Sequence, residues 1–419
     1  MLDIRWIRQN PEEVSSLLKK RQYNMCINDL LRQDEEKRSL LSLAEEKKSI
    51  RNTVGKKIGI ARKKGQSANE LETLMSEMHQ LDEQITDLDA SIAELSHQID
   101  QILLSIPNLP HQSVPHSHSP KNDTEIRHWG TPRQFLWEPK SHWDIGNDLE
   151  IIDWHNASRI TGMASVYYRG MGARLERVLV HYILSNLASK GFLELQPSSV
   201  VNLTYLAKCG YHSTEADDVV MYNADSFLVP SAAIPILSLV QDAILNPVQL
   251  PVLLCDYIDC FQKKDITKAR SLLSLNQNRQ IGLVAITAPD NSYIETNQMV
   301  ALLETILQKL QLPYRIVTSS VADLTFRAAK TYVIEGWLPS QNNYIEVCSI
   351  TNSEAFLSRR LNVRFRTAPK EKPQHVHMVE CSLIIDHLIA AILENNQNGE
   401  GTVQMPEALF THAGTDIIR

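Results

Sequence analysis

The stretch Leu74 to Ile102, LMSEMHQLDEQITDLDASIAELSHQIDQI, has the clearest periodicity in this chain. Its apolar residues recur at alternating intervals of four and three, at Leu74, Met78, Leu81, Ile85, Leu88, Ile92, Leu95, Ile99 and Ile102. This spacing places one apolar seam along a helix about 40 Å long, at ~1.5 Å per residue. The pattern predicts one helix of a coiled coil.

A second, weaker repeat precedes it, between Asp29 and Ala61. Its apolar residues are Leu40, Ala44, Val54, Ile58 and Ala61. Lys47 and Arg51 interrupt this seam. The turn-forming cluster Lys64-Gly65-Gln66-Ser67-Ala68-Asn69 lies between the two repeats. We therefore predict an antiparallel helical hairpin, an arm domain of residues 1–104 with its tip at about residues 55–69.

Charge divides sharply between the two predicted helices. Lys47 to Lys64 holds eight Lys or Arg and no acid, whereas Glu70 to Asp100 holds nine acids and no Lys or Arg. One interpretation is a solvated coiled coil with weak ion pairs between its helices. The other is that cations at the tip bind phosphates, which the acidic body cannot approach. The candidate RNA-binding residues are Lys56, Lys57, Arg62, Lys63 and Lys64.

Composition limits the remaining function classes. A chain of 419 residues with 43% apolar side chains is long enough for more than one domain, and its net charge of −7 offers no general attraction for DNA or membranes. Its six cysteines form no CxxC pair, which favours reduced thiols over disulfides or a zinc site. The sequence shows no signal or transit peptide and no run of about 18 apolar residues. We expect a cytoplasmic protein.

Prolines mark a boundary after the arm. Pro107, Pro110, Pro115 and Pro120 preclude a continuous helix. The histidines among them have no carboxylate or cysteine spaced to complete a metal site. We predict a flexible polar linker over residues 105–125, followed by a globular body over residues 126–419, and no metal.

The body mixes helix-like and strand-like patterns. The predicted helices are residues 174–187, 299–310 and 383–394, and the predicted strands are residues 281–287 and 344–350. Neither GxGxxG after a strand nor GxxxxGK[ST] occurs, so the sequence carries no Rossmann or P-loop signature. The pattern indicates an α+β body built on an antiparallel or mixed sheet.

Short blocks along nearly the whole chain resemble the bacterial-type seryl-tRNA synthetases, in the order in which that family carries them. They are Met1 to Arg5, Asn10 to Glu12, Ile106 to Pro110, His142 to Gly146, Gly172 to Arg177, Leu312 to Arg315, Ala328 to Tyr332, Trp337 to Pro339, Arg359 to Asn362 and Ala391 to Asn395. The resemblance implies a class II synthetase body, an antiparallel sheet with flanking helices, and usually a homodimer. It also implies an arm that grips the long variable arm of serine tRNA.

The family's chemistry needs fixed positive charge, because activation brings the carboxylate of serine against the α-phosphate of ATP. Arginine is the usual choice, since its planar fork holds two oxygens. The family's second motif, Cys-Phe-Arg-Ser-Glu-Ala-Gly, reads Cys260 to Ile266 here, with Gln262 and Lys264 in place of the arginine and glutamate. The resemblance therefore implies that the α-phosphate arginine is lost.

The third motif has changed as well. The family carries Asn-Gly-Ser-Gly followed by a Gly-Arg pair, whereas this chain reads Glu380 to His387, one residue short. His387 replaces the arginine that clamps the γ-phosphate, and Asp386 precedes it. Because a nucleotide is itself an anion, we expect Asp386 to repel it.

On the substrate side, the family's Thr-Ala-Glu motif keeps a hydroxyl at Ser231 but has Ala233 in place of the acid, and Ala285 aligns with a serine-contacting glutamate. Glu346 and Ser349 stand where the family holds magnesium and ATP. Each surviving polar residue has an alternative role in hydrogen bonding within the sheet. The vestigial site candidates are Ser231, Glu346, Ser349, Asn352 and Ser382.

Three functions stay open. Because removal of one preorganised donor commonly costs roughly 10²–10³ in rate, the joint losses favour a protein that no longer activates serine and needs no cofactor. It would act by binding tRNA, or by dimerising with itself or with an active synthetase. Alternatively, it is a ligase of altered chemistry, using ATP and Mg²⁺ with replacement cations. A third possibility is that the arm docks a protein. The candidate replacement cations are Lys263, Lys264, Lys268, Arg270 and Arg279.

Overall fold

The structure is a computed structural model that describes residues 1–64, 68–116, 123–161, 164–211, 219–263, 271–368 and 370–419. The chain divides into two compact units. One is Leu2–Ile106, and the other is Met1 together with Pro107–Arg419. No helix of the described ranges is both long enough and apolar enough to cross a membrane.

The N-terminal unit is a long helical hairpin preceded by two short helices. Its helices are α1 (Ile4–Gln9), α2 (Pro11–Lys20), α3 (Ile27–Lys64) and α4 (Ala68–Ser105). Val54 and Ile58 of α3 bury their side chains against Leu81 of α4, and Met78 packs against this cluster. The predicted antiparallel coiled coil is confirmed.

The two cations that interrupt the α3 seam bind polar groups of α4. Lys47 Nζ donates to Gln84 Oε1 over 2.8 Å, and Arg51 pairs with Asp82 at 3.4 Å. Long side chains can leave an apolar seam in this way because their stems cover it while their charged ends stay in water. The weaker repeat of the first helix is therefore compatible with a continuous hairpin.

The body unit combines many strands with shorter stretches of helix. Its elements are β1 (Thr124–Trp129), α5 (His142–Asp148), β2 (Ile152–Asp153), α6 (Trp154–Thr161), β3 (Tyr167–Tyr168), α7 (Met171–Ser189), β4 (Leu193–Leu195), β5 (Val200–Asn202), α8 (Leu203–Lys208), β6 (Met221–Asn223), β7 (Ser226–Leu228), α9 (Ala233–Ile236), β8 (Ile244–Leu245), β9 (Val252–Phe261), β10 (Gln277–Thr287), α10 (Ser292–Lys309), β11 (Tyr314–Thr318), β12 (Lys330–Leu338), β13 (Asn343–Glu354), α11 (Phe356–Arg360), β14 (Arg364–Phe365), β15 (Gln374–His375), β16 (His377–Ile384), α12 (Ile385–Asn395), β17 (Val403–Gln404), α13 (Phe410–Ala413) and β18 (Ile417–Ile418).

An eight-stranded sheet organises this unit, with strand order β1-β11-β12-β13-β16-β10-β9-β4. Its neighbouring strands are antiparallel except for β4 and β9, which are parallel. Leu175 of α7, Leu303 of α10 and Leu388 of α12 are buried in one core with apolar residues of the central strands. The predicted α+β body, an antiparallel sheet flanked by helices, is confirmed.

One predicted helix of the body begins later in the structure than the sequence pattern indicated. The helix predicted over residues 383–394 begins at Ile385, because Leu383 and Ile384 complete β16. Leu383 packs in the sheet core. The apolar run therefore belongs partly to a strand and partly to a helix, and such a run does not show where one ends.

Part of the predicted linker over residues 105–125 is folded onto the body unit. The Asn108 side-chain amide donates to the carbonyl oxygens of Arg327 and Ser353, at 2.9 and 3.0 Å. Val114 is buried. A short polar segment can be fixed in this way when it satisfies backbone carbonyls that would otherwise be buried without partners. The prediction of a flexible linker is thus wrong for the segment around Asn108 and Val114. Residues 117–122 of the linker lie outside the described residues.

Candidate functional site

The central strands present two different faces. Because side chains alternate along a strand, Ile281, Leu283 and Ala285 of β10 share the face that α7, α10 and α12 cover. The next residues in register lie on the other face, where Gly282 is paired with Asp256 on one side and with Ser382 on the other. We call this second face the site face, and define it by Asp256, Gln280, Gly282, Glu380 and Ser382.

Predicted site residues meet on the site face. The hydroxyl oxygens of Ser231 and Ser382 are 2.9 Å apart. Ser349 is the cross-strand partner of Ser382, and Ala233, two residues after Ser231, is buried at the start of α9. The structure thus brings four of the predicted positions together.

Other predicted residues lie elsewhere. Ala285 is on the helix-covered face, and so is Asn352, whose side-chain amide donates to Thr296 Oγ1 of α10 over 3.1 Å. Glu346, expected at a magnesium position, is exposed, and no group of three or more His, Cys, Asp or Glu within the described residues could hold a metal ion. Lys264 lies outside the described residues. The expected site is therefore only partly assembled.

The two positions where arginines were expected make local hydrogen bonds. Gln262 Nε2 donates to the carbonyl oxygen of Pro230 at 3.4 Å. His387 Nδ1 donates to the carbonyl oxygen of Glu346 over 2.6 Å. Both side chains therefore bind backbone oxygens of the chain itself, and neither has the planar fork with which an arginine holds two phosphate oxygens.

Asp386 is buried and paired. Its Oδ2 accepts the backbone N–H of Arg279 at 2.7 Å, and its Oδ1 accepts from Arg279 Nη1 at 3.2 Å and from the Tyr168 hydroxyl at 2.6 Å. The expectation that Asp386 repels a nucleotide is corrected, because Arg279 neutralises it on the helix-covered side. The same pair occupies Arg279, one of the replacement cations. Of the others, Lys263 is exposed, and three lie outside the described residues: Lys264, Lys268 and Arg270.

A buried acid that the sequence analysis did not single out lies in the middle of the site face. Asp256 is 0% exposed, and its Oδ1 accepts the backbone N–H of Gly282 at 3.0 Å. Its Oδ2 has no hydrogen-bond partner among the described residues. Burial raises the pKa of Asp256 from 3.8 to about 8, so the carboxyl is largely protonated at neutral pH. A single acid inside the apolar run Leu253 to Ile258 is the feature that would have identified it.

The chain itself fills the site face beside Gly282. The backbone N–H of Ala232 donates to Gln280 Oε1 at 3.2 Å, and Ala232 and Ala233 are at most 1% exposed. A methyl group placed on Gly282 would stand 2.4 Å from Asp256 Oδ1 and 2.7 Å from the Ala232 carbonyl carbon. The segment that begins α9 therefore rests directly on the strand, and the space beside Gly282 is already full.

A cation reaches the site face, but it is already paired. Arg327 Nε donates to Glu380 Oε1, and the guanidinium lies 5.1 Å from the centroid of the Tyr211 ring. The side chains of Arg327 and Glu380 are only 13% and 4% exposed. Because Glu380 neutralises its charge, Arg327 is not an unpaired cation that could bind a phosphate directly.

Replacing Asp256 with Asn is expected to flatten the dependence of stability on pH. Because folding raises the pKa of Asp256, its stabilising effect is full below the unfolded pKa and is lost as pH rises towards 8. Between pH 5 and 7.5 the free energy of unfolding of the wild type should fall by about 1 kcal/mol per pH unit more than that of D256N. Urea unfolding across this range measures the slope, and the exposed Asp290, changed to Asn, is the matched control. Equal slopes for D256N and wild type would contradict the prediction.

Ser271, His142 and Glu394 are aligned in the manner of a nucleophilic relay. His142 Nδ1 lies 2.7 Å from Glu394 Oε1, and Nε2 lies 3.1 Å from Ser271 Oγ. The backbone N–H of Leu272 also donates to Nε2 at 3.2 Å, so this nitrogen is an acceptor and Nδ1 carries the proton. The lone pair that a general base needs is thus already used. We assign these bonds a structural role, connecting α5 and α12 to the segment that leads into β10.

The cations of the arm divide into two groups. Lys48 and Arg51 pair with Asp89 and Asp82, at 2.9 and 3.4 Å. The cations nearer the tip form no ion pair within the described residues, and all of them are exposed. Those five are Lys56, Lys57, Arg62, Lys63 and Lys64. Their positive charge is therefore available to a partner.

Comparison with known proteins gives consistent matches along the chain. Residues 1–110 match the family model of the seryl-tRNA synthetase N-terminal domain, and residues 219–396 match the tRNA synthetase class II core domain (G, H, P, S and T). The chain is 40% identical to the serine–tRNA ligase of Carboxydothermus hydrogenoformans, over 100% of this chain and 99% of that protein. It is 38% identical to that of Desulfitobacterium hafniense, over 100% of both.

A solved structure is similar over the same length. The crystal structure of seryl-tRNA synthetase from Pyrococcus horikoshii, complexed with ATP, superposes with a TM-score of 0.91 at 28% identity and covers 100% of this chain and 99% of that one. The cytoplasmic serine–tRNA ligase of Naegleria fowleri superposes with a TM-score of 0.87 at 23% identity, over 100% of this chain and 99% of that one, which shows a shared fold.

Proposed function

This chain belongs to the seryl-tRNA synthetase family, and from that premise we propose that it binds serine tRNA through its arm and does not activate serine. The observation that carries the proposal is the closed site face. Ala232 and Ala233, which follow the Ser231 hydroxyl that the family resemblance assigns to the substrate side, lie against Gly282 and fill the space beside it. A site that must hold two substrates together cannot work when its own backbone fills it.

The charges of the site support the same conclusion. Serine activation needs donors and cations aimed at the phosphates before the reaction begins. At the expected positions, Gln262 and His387 instead bind backbone oxygens. Arg327, the cation found at the site face, is neutralised by Glu380. Phosphate binding would have to break this buried ion pair first, at a cost of several kcal/mol.

The arm supports the tRNA-binding half of the proposal. Nucleic-acid backbones are bound chiefly by Lys and Arg that release counterions from phosphates. The five tip cations are exposed and form no ion pair within the described residues. A coiled coil that needed them for its own stability would pair them with α4, as it does Lys48 and Arg51.

Serine-dependent pyrophosphate exchange is expected to be at least ~10⁴-fold slower than that of the Carboxydothermus hydrogenoformans enzyme assayed in parallel, because two phosphate donors are missing and each commonly contributes roughly 10²–10³. The Gln262→Arg/His387→Arg variant should remain inactive, since the site face stays closed. Exchange by the wild type would overturn the proposed inactivity. Exchange by the double variant alone would show that the arginines, rather than the closed face, are limiting.

A second candidate is an active, divergent serine–tRNA ligase that uses ATP and Mg²⁺. It is favoured by the 40% identity, over the full length, to a protein named as such a ligase. Of the replacement cations that this reading requires, Arg279 is paired with Asp386, and Lys263 is exposed. Titration calorimetry with ATP and Mg²⁺ distinguishes the two candidates, because only the active ligase is expected to bind the nucleotide.

We further propose the cellular setting that the family suggests. The chain would act in the cytoplasm as a homodimer, or as a heterodimer with an active seryl-tRNA synthetase, and would not bind DNA or membranes. Its division into an arm (1–104), a linker (105–125) and a synthetase-like body (126–419) is part of the proposal. The boundary between the two compact units, which falls between residues 106 and 107, supports this division. In this role the protein would regulate the use of serine tRNA or assist the active enzyme.

A further inference from the structure

Residues 108–115, which we call the strap, lie against the part of the body unit that carries Arg327. No helix or strand includes the strap, yet its Val114 is only 2% exposed. Val114 packs in one apolar cluster with residues that precede and follow Arg327 along the chain. These are Val321, Leu324 and Ala328. The backbone N–H of Val321 also donates to the Pro115 carbonyl oxygen at 3.1 Å. The strap is therefore held to the body by both apolar packing and hydrogen bonds.

Asn108 makes the strap's contacts with the backbone of Arg327 itself. Its backbone N–H donates to the Phe326 carbonyl oxygen at 2.8 Å. Its side-chain amide donates to the carbonyl oxygens of Arg327 and Ser353, at 2.9 and 3.0 Å. The carbonyl groups of Phe326 and Arg327 belong to the two peptide groups on either side of the Arg327 α-carbon. Asn108 therefore fixes the direction in which the Arg327 side chain leaves the backbone.

The ion pair that depends on this direction tolerates little movement. Arg327 Nε donates to Glu380 Oε1, and the two side chains are almost fully buried. The other carboxylate oxygen, Glu380 Oε2, accepts no hydrogen bond within the described residues. The pair thus relies on one oxygen, in surroundings where little water is present to replace a lost partner. A displacement of the Arg327 backbone is therefore costly.

The strap is tied closely to the arm. The last arm helix, α4, ends at Ser105, and Asn108 is already bound to the body. Three residue steps span at most about 11 Å, so this connection has little slack. We propose that the strap links the arm to the site face: Asn108 positions Arg327 on Glu380, and a pull on the arm changes how firmly that pair is held. The second half rests on the proposed binding of tRNA, which would supply the pull.

A double-mutant cycle in the full-length chain tests the positioning without RNA. In the Asn108→Ala background the ion pair is already loosened, so Arg327→Met should lower the midpoint of thermal unfolding by less than about half as much as in the wild type. Asn395→Ala is the matched control. Asn395 is 6% exposed, as Asn108 is, and its side-chain amide also donates to two carbonyl oxygens, those of Trp337 and Ala391, both at 2.8 Å.

In the Asn395→Ala background the full effect of Arg327→Met should remain. An asparagine that only stabilises the fold adds its effect to that of a distant change, whereas a positioning residue does not. Equal effects in all three backgrounds would overturn the proposal. If Asn108→Ala does not fold, Val114→Ala takes its place, because it loosens the strap and removes no hydrogen bond. An undiminished effect of Arg327→Met in that background would overturn the proposal in the same way.

Hydrogen exchange tests the link to the arm. Adding serine tRNA to the wild type should change the exchange rates of amides within residues 320–330 by at least ~3-fold, and Asn108→Ala should bind tRNA without this change. Asn395→Ala should retain it. A wild type that binds tRNA with no change in these amides would overturn the link. A wild type that binds no tRNA would overturn the proposed function and the link together, and the cycle would still decide whether Asn108 positions Arg327.

Discussion

Reversing all five tip cations to Glu is expected to weaken the binding of serine tRNA by on the order of 10²-fold or more at 50 mM salt. The changed residues are Lys56, Lys57, Arg62, Lys63 and Lys64. Each contact between a cation and a phosphate releases counterions, so the affinity of the wild type should fall steeply with salt. The variant should lose most of this salt dependence as well as its affinity. Filter binding or gel shift at several salt concentrations measures both.

A matched pair of double variants separates a local contact from the effect of net charge. Lys56→Glu/Lys63→Glu and Lys19→Glu/Arg32→Glu make the same change in net charge, and all four side chains are exposed. The second pair lies far from the tip, because Arg32 and Lys63 are about 45 Å apart along α3 at ~1.5 Å per residue. Only the first pair should weaken tRNA binding strongly. Equal losses would mean that general charge, and not the tip, attracts the RNA.

Changing Arg327 to Met is expected to destabilise the body by about 3–5 kcal/mol. The change leaves the Glu380 carboxylate buried and without its counter-charge, and breaking a buried pair from one side commonly costs that much. For a domain of this size the midpoint of thermal unfolding should fall by roughly 5–15 °C. Calorimetry or a dye-based thermal scan measures the shift.

The double variant Arg327→Met/Glu380→Leu is the control for this prediction. Removing both charges together is often neutral or stabilising, so the double variant should recover most of the lost stability. Arg327 would have a different role if it bound a nucleotide in the wild type. In that case ATP with Mg²⁺ would raise the unfolding midpoint of the wild type, since a ligand that binds only the folded state stabilises it. We expect no such rise, and observing it would count against the closed site.

The repetitive part of the fold was readily predictable from sequence. The 4-3 spacing around Leu81 and Ile85 defines a helix face, and the structure buries both residues in the hairpin. The ends of elements were harder. Leu383 and Ile385 belong to one apolar run, yet the first completes β16 and the second begins α12. Hydrophobicity reports burial, and the backbone can change from strand to helix without any change in burial.

The site shows a different limit. The resemblance to the family's motif placed Ala285 among the substrate contacts. The register of β10 instead puts Ala285 on the helix-covered face and Gly282 on the site face. A shift of one residue reverses the side of every side chain in a strand, so motif matching without the sheet cannot assign faces. The pairing of Asp386 with Arg279 could not be predicted from the sequence either. Asp386 lies at the start of α12 and Arg279 lies in β10, so the two residues become adjacent only in the folded protein.

The vestigial site candidates, whose polar side chains the resemblance assigns to the substrate site, were the least predictable residues. Ser231 and Ser382 meet on the site face, whereas the Asn352 side chain donates a hydrogen bond to Thr296 of α10. Their chemical types are the same in both roles, because a buried polar group needs a hydrogen-bond partner whether or not a substrate is present. Only the folded structure distinguishes a polar group that binds a substrate from one that bonds within the fold. The sequence shows which polar groups are present, but not which of these two roles each one has.

The contact at Gly282 has a consequence for how this lineage can change in future. Any side chain there collides with Asp256 and with the Ala232 backbone, so a substitution at this position is harmful until both neighbours have moved. Asp256 can leave on its own, but the backbone of Ala232 cannot be altered by exchanging a side chain. Under the proposed inactivity the change would work as a ratchet, because opening the space beside Gly282 again would require the Ala232 backbone to move as well as side chains to be exchanged.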